Sequence, residues 1–267
     1  MPAIALVGAT GKMGRALVRA ATERADVRIC GAAVSPGSRH LDQDVGVVAG
    51  HKAIGVRVTS DLATALKDAQ VAVDFALPVD LEARARTVAA AGCAWILGTT
   101  GLDSAQRSAV DAAAKKVAVL VSPNMSIAVQ LLMRLVGEAA NALPKDFDIE
   151  IHETHHRDKV DAPSGTAKRL GEIAAAARGQ SLEEGSLVRS PGSGARRAGA
   201  VEFSVTRAGD IVGEHRVIFA GLGEQLVLEH RATDRMAFAR GALAAAVWIA
   251  GRPAGRYEMA DLISVKQ

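Results

Sequence analysis

Ile4-Ala5-Leu6-Val7-Gly8-Ala9-Thr10-Gly11-Lys12-Met13-Gly14-Arg15 is the stretch whose reading decides the fold. Its apolar start predicts a buried strand, its glycines a tight turn, and the run from Lys12 to Glu23 a helix. Strand, Gly-rich turn and helix in that order form the phosphate-binding piece of a dinucleotide fold. Glycines let the backbone approach a pyrophosphate, and N–H groups at the helix start receive its charge. The spacing G-x-x-G-x-x-G departs from the usual G-x-G-x-x-G, so position and context carry the reading rather than the string. Gly8, Ala9, Thr10, Gly11, Lys12 and Met13 are therefore candidate cofactor residues; the bland alternative is a βα turn with no ligand.

The same alternation continues outward. Strand-like runs at Val27 to Ala33, Val71 to Phe75, Trp95 to Leu97 and Val117 to Val121 are separated by helical runs at Asp61 to Lys67, Leu81 to Ala91 and Ser104 to Lys115. That order predicts a Rossmann-like, doubly wound parallel sheet. Open α/β sheets bind ligands at the carboxyl ends of their strands. This makes Gly98, Thr99 and Thr100, and Ser122, Pro123, Asn124 and Met125, further candidates for the cofactor. Ser35 and Arg39 follow the second strand, where a cofactor's adenosine ribose is read.

Beyond an apolar helix at Ser126 to Leu143 the pattern changes to longer strands: Phe147 to Glu153, Val201 to Arg207, Glu214 to Ala220 and Gln225 to Arg231. A smaller α+β domain with an antiparallel or mixed sheet is expected there. A Gly/Ser/Arg-rich loop falls at 190–199, and a last helix at Met236 to Ala250 is expected to pack on the first domain. The expected division is residues 1–126 and 236–267 for the dinucleotide and 127–235 for substrate and oligomerisation.

Composition excludes several classes. No apolar run in the 267 residues approaches the roughly 20 needed to cross a bilayer. An aromatic content of 3% and a net charge of only +3 in mixed-sign segments argue against nucleic acid. Cys30 and Cys93 stand far apart, outside any metal or disulfide pattern, and the amino terminus lacks the features of a signal peptide. A cytoplasmic location is expected.

Glu150-Ile151-His152-Glu153-Thr154-His155-His156-Arg157-Asp158-Lys159-Val160-Asp161-Ala162-Pro163-Ser164-Gly165-Thr166-Ala167 gathers three of the seven histidines, a lysine and a helix start. Ser164 is the expected N-cap of a helix Gly165 to Ala177, turning the Gly165 and Thr166 amides outward as a receptor for a carboxylate. Histidine exchanges protons near neutrality, and lysine holds a carboxylate or donates a proton. The segment also satisfies the H-E-x-x-H zinc string, but its alternation is that of a strand. Residues four apart on a strand are roughly 13 Å distant, beyond ligands bound at roughly 2 Å, so no metal is expected.

This segment resembles the dihydrodipicolinate reductase family, whose signature E-[IV]-x-E-x-H-x-x-x-K-x-D-x-P-S-G-T-A is met in full. The resemblance extends through Gly8 to Gly14, Asp74-Phe75, Gly98 to Gly101, Asn124-Met125, Arg207 to His215 and Arg235-Met236. It implies NADPH- or NADH-dependent reduction of a cyclic dicarboxylic imine in diaminopimelate and lysine biosynthesis, by a homotetramer. It also implies catalytic roles for His155 and Lys159, substrate contacts at His156, Ser164, Gly165 and Thr166, and the cofactor loops named above. Four positions depart from the family: Ser35 and Pro36 stand where many members carry an acidic residue and arginine, Ala76 where a threonine is common, and Glu202 where a glycine is usual. Two alternatives remain, another two-domain amino-acid dehydrogenase and a non-catalytic NAD(P)-sensing regulator. Neither needs the string from Glu153 to Thr166.

Overall fold

The computed structural model describes residues 1–182, 194–196 and 199–263. The chain divides into two compact units, Met1–Ile127 with Arg235–Gln267, and Ala128–Asp234.

In the first unit the elements run β1 (Ala3–Val7), α1 (Lys12–Thr22), β2 (Arg28–Ala33), α2 (Val45–Val48), β3 (Val58–Thr59), α3 (Leu62–Leu66), β4 (Val71–Asp74), α4 (Leu81–Ala90), β5 (Ala94–Leu97), α5 (Ser104–Ala114) and β6 (Ala118–Val121). With β11 (Gly255–Tyr257) at one edge, all strands of its sheet are parallel, in the order β11-β6-β5-β4-β1-β2-β3. Chain order reverses between β1 and β4, which makes the mouth of β1 a topological switch point. β1 and β4 are buried along their whole length. They read as unbroken apolar runs because helices cover both faces. Ile4 and Leu6 join Leu17 and Val18 of α1 in one core, while Ala5 joins Leu81, Ala85 and Val110 of α4 and α5 in the other.

The second unit opens with α6 (Ile127–Ala142), which starts at the boundary, and continues with β7 (Asp148–His155), α7 (Gly165–Ala177), β8 (Val201–Arg207), β9 (Gly213–Gly221) and β10 (Glu224–Ala232). The chain returns to the first unit with α8 (Met236–Ile249), β11 (Gly255–Tyr257) and α9 (Met259–Ile263). Ala239, Ala242 and Leu243 of α8 lie in the core that holds α1. The second sheet is mixed, in the order β10-β9-β7-β8: only β7 and β8 are parallel, joined by the α7 crossover. Ile149, Ile151, Phe203, Val217 and Phe219 pack with Val129 and Val136 of α6 and Leu170 and Ala174 of α7. The opposite face carries Asp148, Glu150, His152, Arg216 and Glu229 beside the apolar Ile218 and Val227. There Arg196 binds both Glu150 at 2.7 Å and Glu202 at 3.2 Å.

Two features differ from the sequence reading. β7 runs two residues past the expected end at Glu153, because Thr154 and His155 continue the ladder opposite Thr206 and Arg207 of β8. β3, β11, α2 and α9 were not anticipated, since two to five residues are too few to show a period. Most of the 190–199 segment lies outside the described residues.

Candidate active site

The loops expected to hold a cofactor follow β1, β2, β5 and β6, and parallel strands bring all four to one edge of the sheet. At Gly8 φ is +78°, and a Cβ there would sit 3.0 Å from the Ala76 amide nitrogen. At Gly14 a Cβ would fall 2.4 Å from the Ala9 carbonyl carbon, so α1 approaches its own turn at glycine distance. Gly11 is the N-cap of α1 and no side chain caps this helix. An uncapped helix start behind a left-handed glycine is the cradle a pyrophosphate requires, so the residues present fit a dinucleotide.

Other expected positions contribute differently. Ala9 and Met125 are buried in the core, so they offer a ligand only backbone. The Thr99 hydroxyl donates to the Ala76 carbonyl at 2.8 Å and the Ser122 hydroxyl to the Asn124 carbonyl at 2.7 Å, fixing loop shape. Thr100, Pro123, Lys12, Ser35 and Arg39 are exposed. Arg15 gathers the adenosine-side loop: its Nε donates to the Thr10 carbonyl at 2.9 Å and its Nη2 lies 3.5 Å from His40 Nε2. Arg39 Nε approaches the same His40 nitrogen at 3.4 Å.

In the second unit, β7 ends with Glu153 and His155 two residues apart and therefore on one face. Glu153 is fully buried and has four donors. His155 Nδ1 donates to Oε2 at 2.5 Å, Arg207 Nη1 to Oε2 at 2.9 Å, Arg207 Nη2 to Oε1 at 2.8 Å, and the Ser164 amide to Oε1 at 3.0 Å. Burial alone would raise this carboxyl, but the bonds from His155 and Arg207 outweigh it and bring it down to about 2. Arg207 also donates to the carbonyls of Lys159 and Asp161, at 3.1 and 2.6 Å, and so pins the loop that carries Lys159. Lys159 Nζ pairs with Asp161 at 2.7 Å. Asp161 is held below its ordinary value, the hydrogen bond from Lys159 overcoming the effect of burial.

Ser164 caps α7 by accepting the Ala167 amide at 3.2 Å, and its hydroxyl shares a hydrogen bond with His215 Nε2 at 3.1 Å. Gly165, at the first turn, is exposed. His215 is buried, its Nδ1 has no partner among the described residues, and burial, followed by the neighbouring His155, pushes it down to about 3. A neutral His215 ring thus stands edge-on to His155, with centroids 5.2 Å apart. His156 is half-buried beside this group. β7 is a strand through both His152 and His155, and among the described residues no three His, Cys, Asp or Glu side chains form a metal site.

The structure therefore brings His155 and Ser164 together on a carboxylate that sequence reasoning did not single out, and Arg207 ties the backbone of the Lys159 loop to it. Glu153, Arg207 and His215 complete this group and were not among the candidates read from the sequence. The signal was strand register: His155 pairs with Arg207 on β8, and Glu153 with His215 on β9.

Residues 2–125 match the family described as Dihydrodipicolinate reductase, N-terminus, and residues 128–263 match Dihydrodipicolinate reductase, C-terminus. The chain is 44% identical over 265 residues to the 4-hydroxy-tetrahydrodipicolinate reductase of Ruegeria sp. (strain TM1040), covering 99% of this chain and 98% of that one. It is 42% identical to the enzyme of the same name from Nitrosomonas europaea, covering 98% of each. Among solved structures, the dipicolinate-bound dihydrodipicolinate reductase from Paenisporosarcina sp. TG-14 shares the fold, with a TM-score of 0.74 at 23% identity over 97% of both chains. An amine dehydrogenase from Mycobacterium smegmatis shares it at a TM-score of 0.66 and 15% identity, over 97% of this chain and 94% of that one. The chain belongs to the dihydrodipicolinate reductase family.

Proposed function

We propose that this chain reduces 4-hydroxy-tetrahydrodipicolinate, or dihydrodipicolinate, to tetrahydrodipicolinate with NADPH or NADH in the diaminopimelate route of lysine biosynthesis. The observation that carries the reading is the convergence on Glu153 of the His155 ring, the Arg207 that pins the Lys159 loop, and the Ser164 amide at the start of α7. Bound nicotinamide supplies the hydride. The chain's own residues bind the ring and manage the proton. The Gly165 and Thr166 amides receive one carboxylate at the helix start. Lys159, paired with Asp161, holds the other, and His156 lines the same site. A ring that enters with its 4-hydroxyl first loses it as water, and His155 then supplies the proton from Nε2 to the carbon beside the one that takes the hydride, its N–H bond breaking as the C–H bond forms.

On this reading the first unit is the dinucleotide-binding domain. Gly8 to Met13 hold the phosphates, and Gly98 to Thr100 with Ser122 to Met125 hold the nicotinamide and its ribose. Ser35 carries no charge to repel a 2′-phosphate, so with Arg39 nearby NADPH serves at least as well as NADH. The second unit is the substrate-binding and oligomerisation domain. Family membership supports a homotetramer working in the cytoplasm.

Inhibition by dipicolinate tests the site. It is expected to compete with the ring substrate and to weaken about tenfold or more in Lys159→Ala, the scale of one lost charged hydrogen bond. Unchanged inhibition in both Lys159→Ala and Ser164→Ala would place the dicarboxylate elsewhere.

A further inference from the structure

One carboxylate, without access to solvent, touches both halves of the substrate chemistry. Its Oε2 accepts His155 Nδ1–H and its Oε1 accepts the Ser164 amide. We propose that Glu153 is a positioning residue, which fixes the nitrogen from which His155 exchanges its proton and holds the carboxylate-receiving start of α7 in register with it. The inference rests on the catalytic reading of His155 above and deepens it.

The geometry gives the reason. A carboxylate against Nδ1 keeps a proton on that nitrogen whether His155 is charged or neutral, so only Nε2 exchanges. Nε2 lies against Gly213, where a Cβ would stand 3.0 Å away, so glycine at this position leaves that nitrogen uncovered by a side chain. The other groups facing this ring leave its tautomer to Glu153. Arg207 from β8 is spent on Glu153, His215 from β9 presents a neutral ring edge, and Lys159 in the next loop is paired with Asp161. His230, the neighbour of His215 on β10, is pushed down by its burial.

Glu153→Gln separates this role from a merely structural one. Turning the new amide nitrogen toward Ser164 and Arg207 Nη2 would face two donors that now bind Oε1. Turning it toward His155 faces Arg207 Nη1 alone, once His155 moves its own proton to Nε2. The second orientation has fewer conflicts, so the substitution inverts the tautomer while keeping an acceptor for Ser164.

The test reads the ¹⁵N shifts of the His155 ring together with kinetics. Native His155 in its neutral form is expected as the Nδ1–H tautomer, and Glu153→Gln as Nε2–H. Turnover in Glu153→Gln is expected to fall about 10²- to 10⁴-fold, with dipicolinate affinity held within about threefold. In a His155→Gln background the same change is expected to cost no more than about threefold, because its effect runs through that ring. A native Nε2–H tautomer, which needs no variant to observe, would overturn the proposal. So would an equal loss of turnover in both backgrounds. Near-normal turnover of His155→Gln alone would instead overturn the catalytic reading beneath it, and with it any consequence of Glu153 for rate.

Discussion

Replacing Arg207 by methionine removes both guanidinium bonds to Glu153 and the two that hold the Lys159 and Asp161 carbonyls. The Arg207 side chain is 18% exposed and Glu153 not at all, so the variant strands a carboxylate that cannot reach water. Breaking a buried pair costs about 3–5 kcal/mol. The low end applies, because His155 and the Ser164 amide still bind Glu153. About 3 kcal/mol corresponds to a fall of about 6–12 °C in the melting temperature of a protein this size. The sign with pH follows from the carboxyl. Its folded value, about 2, lies below its ordinary 4.5, so its contribution is present above that ordinary value and lost as pH falls from 4.5 toward 2. The deficit of Arg207→Met is therefore greatest near neutrality and shrinks in acid. Calorimetry of both proteins across that range measures it. A deficit below about 1 kcal/mol near neutrality, or one that does not change with pH, would refute the reasoning.

Three further outcomes are expected. His155→Gln and Lys159→Ala each lower turnover by about 10² or more while leaving NADPH affinity unchanged, which steady-state kinetics with direct cofactor binding would establish. Arg39→Ala loses kcat/KM with NADPH and keeps it with NADH; equal losses with both cofactors would remove Arg39 from the adenosine end. His215, neutral in the fold down to about 3 against an ordinary 6.5, costs stability as pH falls from 6.5 because the unfolded chain takes up the proton first. His215→Asn is accordingly expected to flatten the loss of melting temperature across that interval, by at most about 1.4 kcal/mol per pH unit.

The layout of the first unit was legible because its physics is local. A central parallel strand must be apolar throughout, so Ile4 to Val7 announces itself, and the glycines at 8 and 14 mark where backbone must come close. The α7 helix was legible to the residue because Ser164 spends its hydroxyl on the third amide, the bond that defines a cap. What stayed hidden was long-range. Arg207 lies 54 residues from Glu153, and only the parallel register of β7 with β8 brings it there. His215 arrives by the antiparallel register of β9, and neither spacing nor periodicity in the segment around His155 implies it. The site residues proposed from the sequence therefore came from its local string, whereas the carboxylate beneath them required the sheet.

The central claim is the reaction itself. Dihydrodipicolinate synthase making the unstable ring substrate in the same cuvette, with this chain and NADPH added, tests it most directly. Oxidation of the cofactor should depend on both enzymes and match, mole for mole, the tetrahydrodipicolinate found by mass spectrometry. The His155→Gln protein should abolish nearly all of it. Cofactor oxidation that is absent, or that proceeds without the synthase or without that product, would contradict the account.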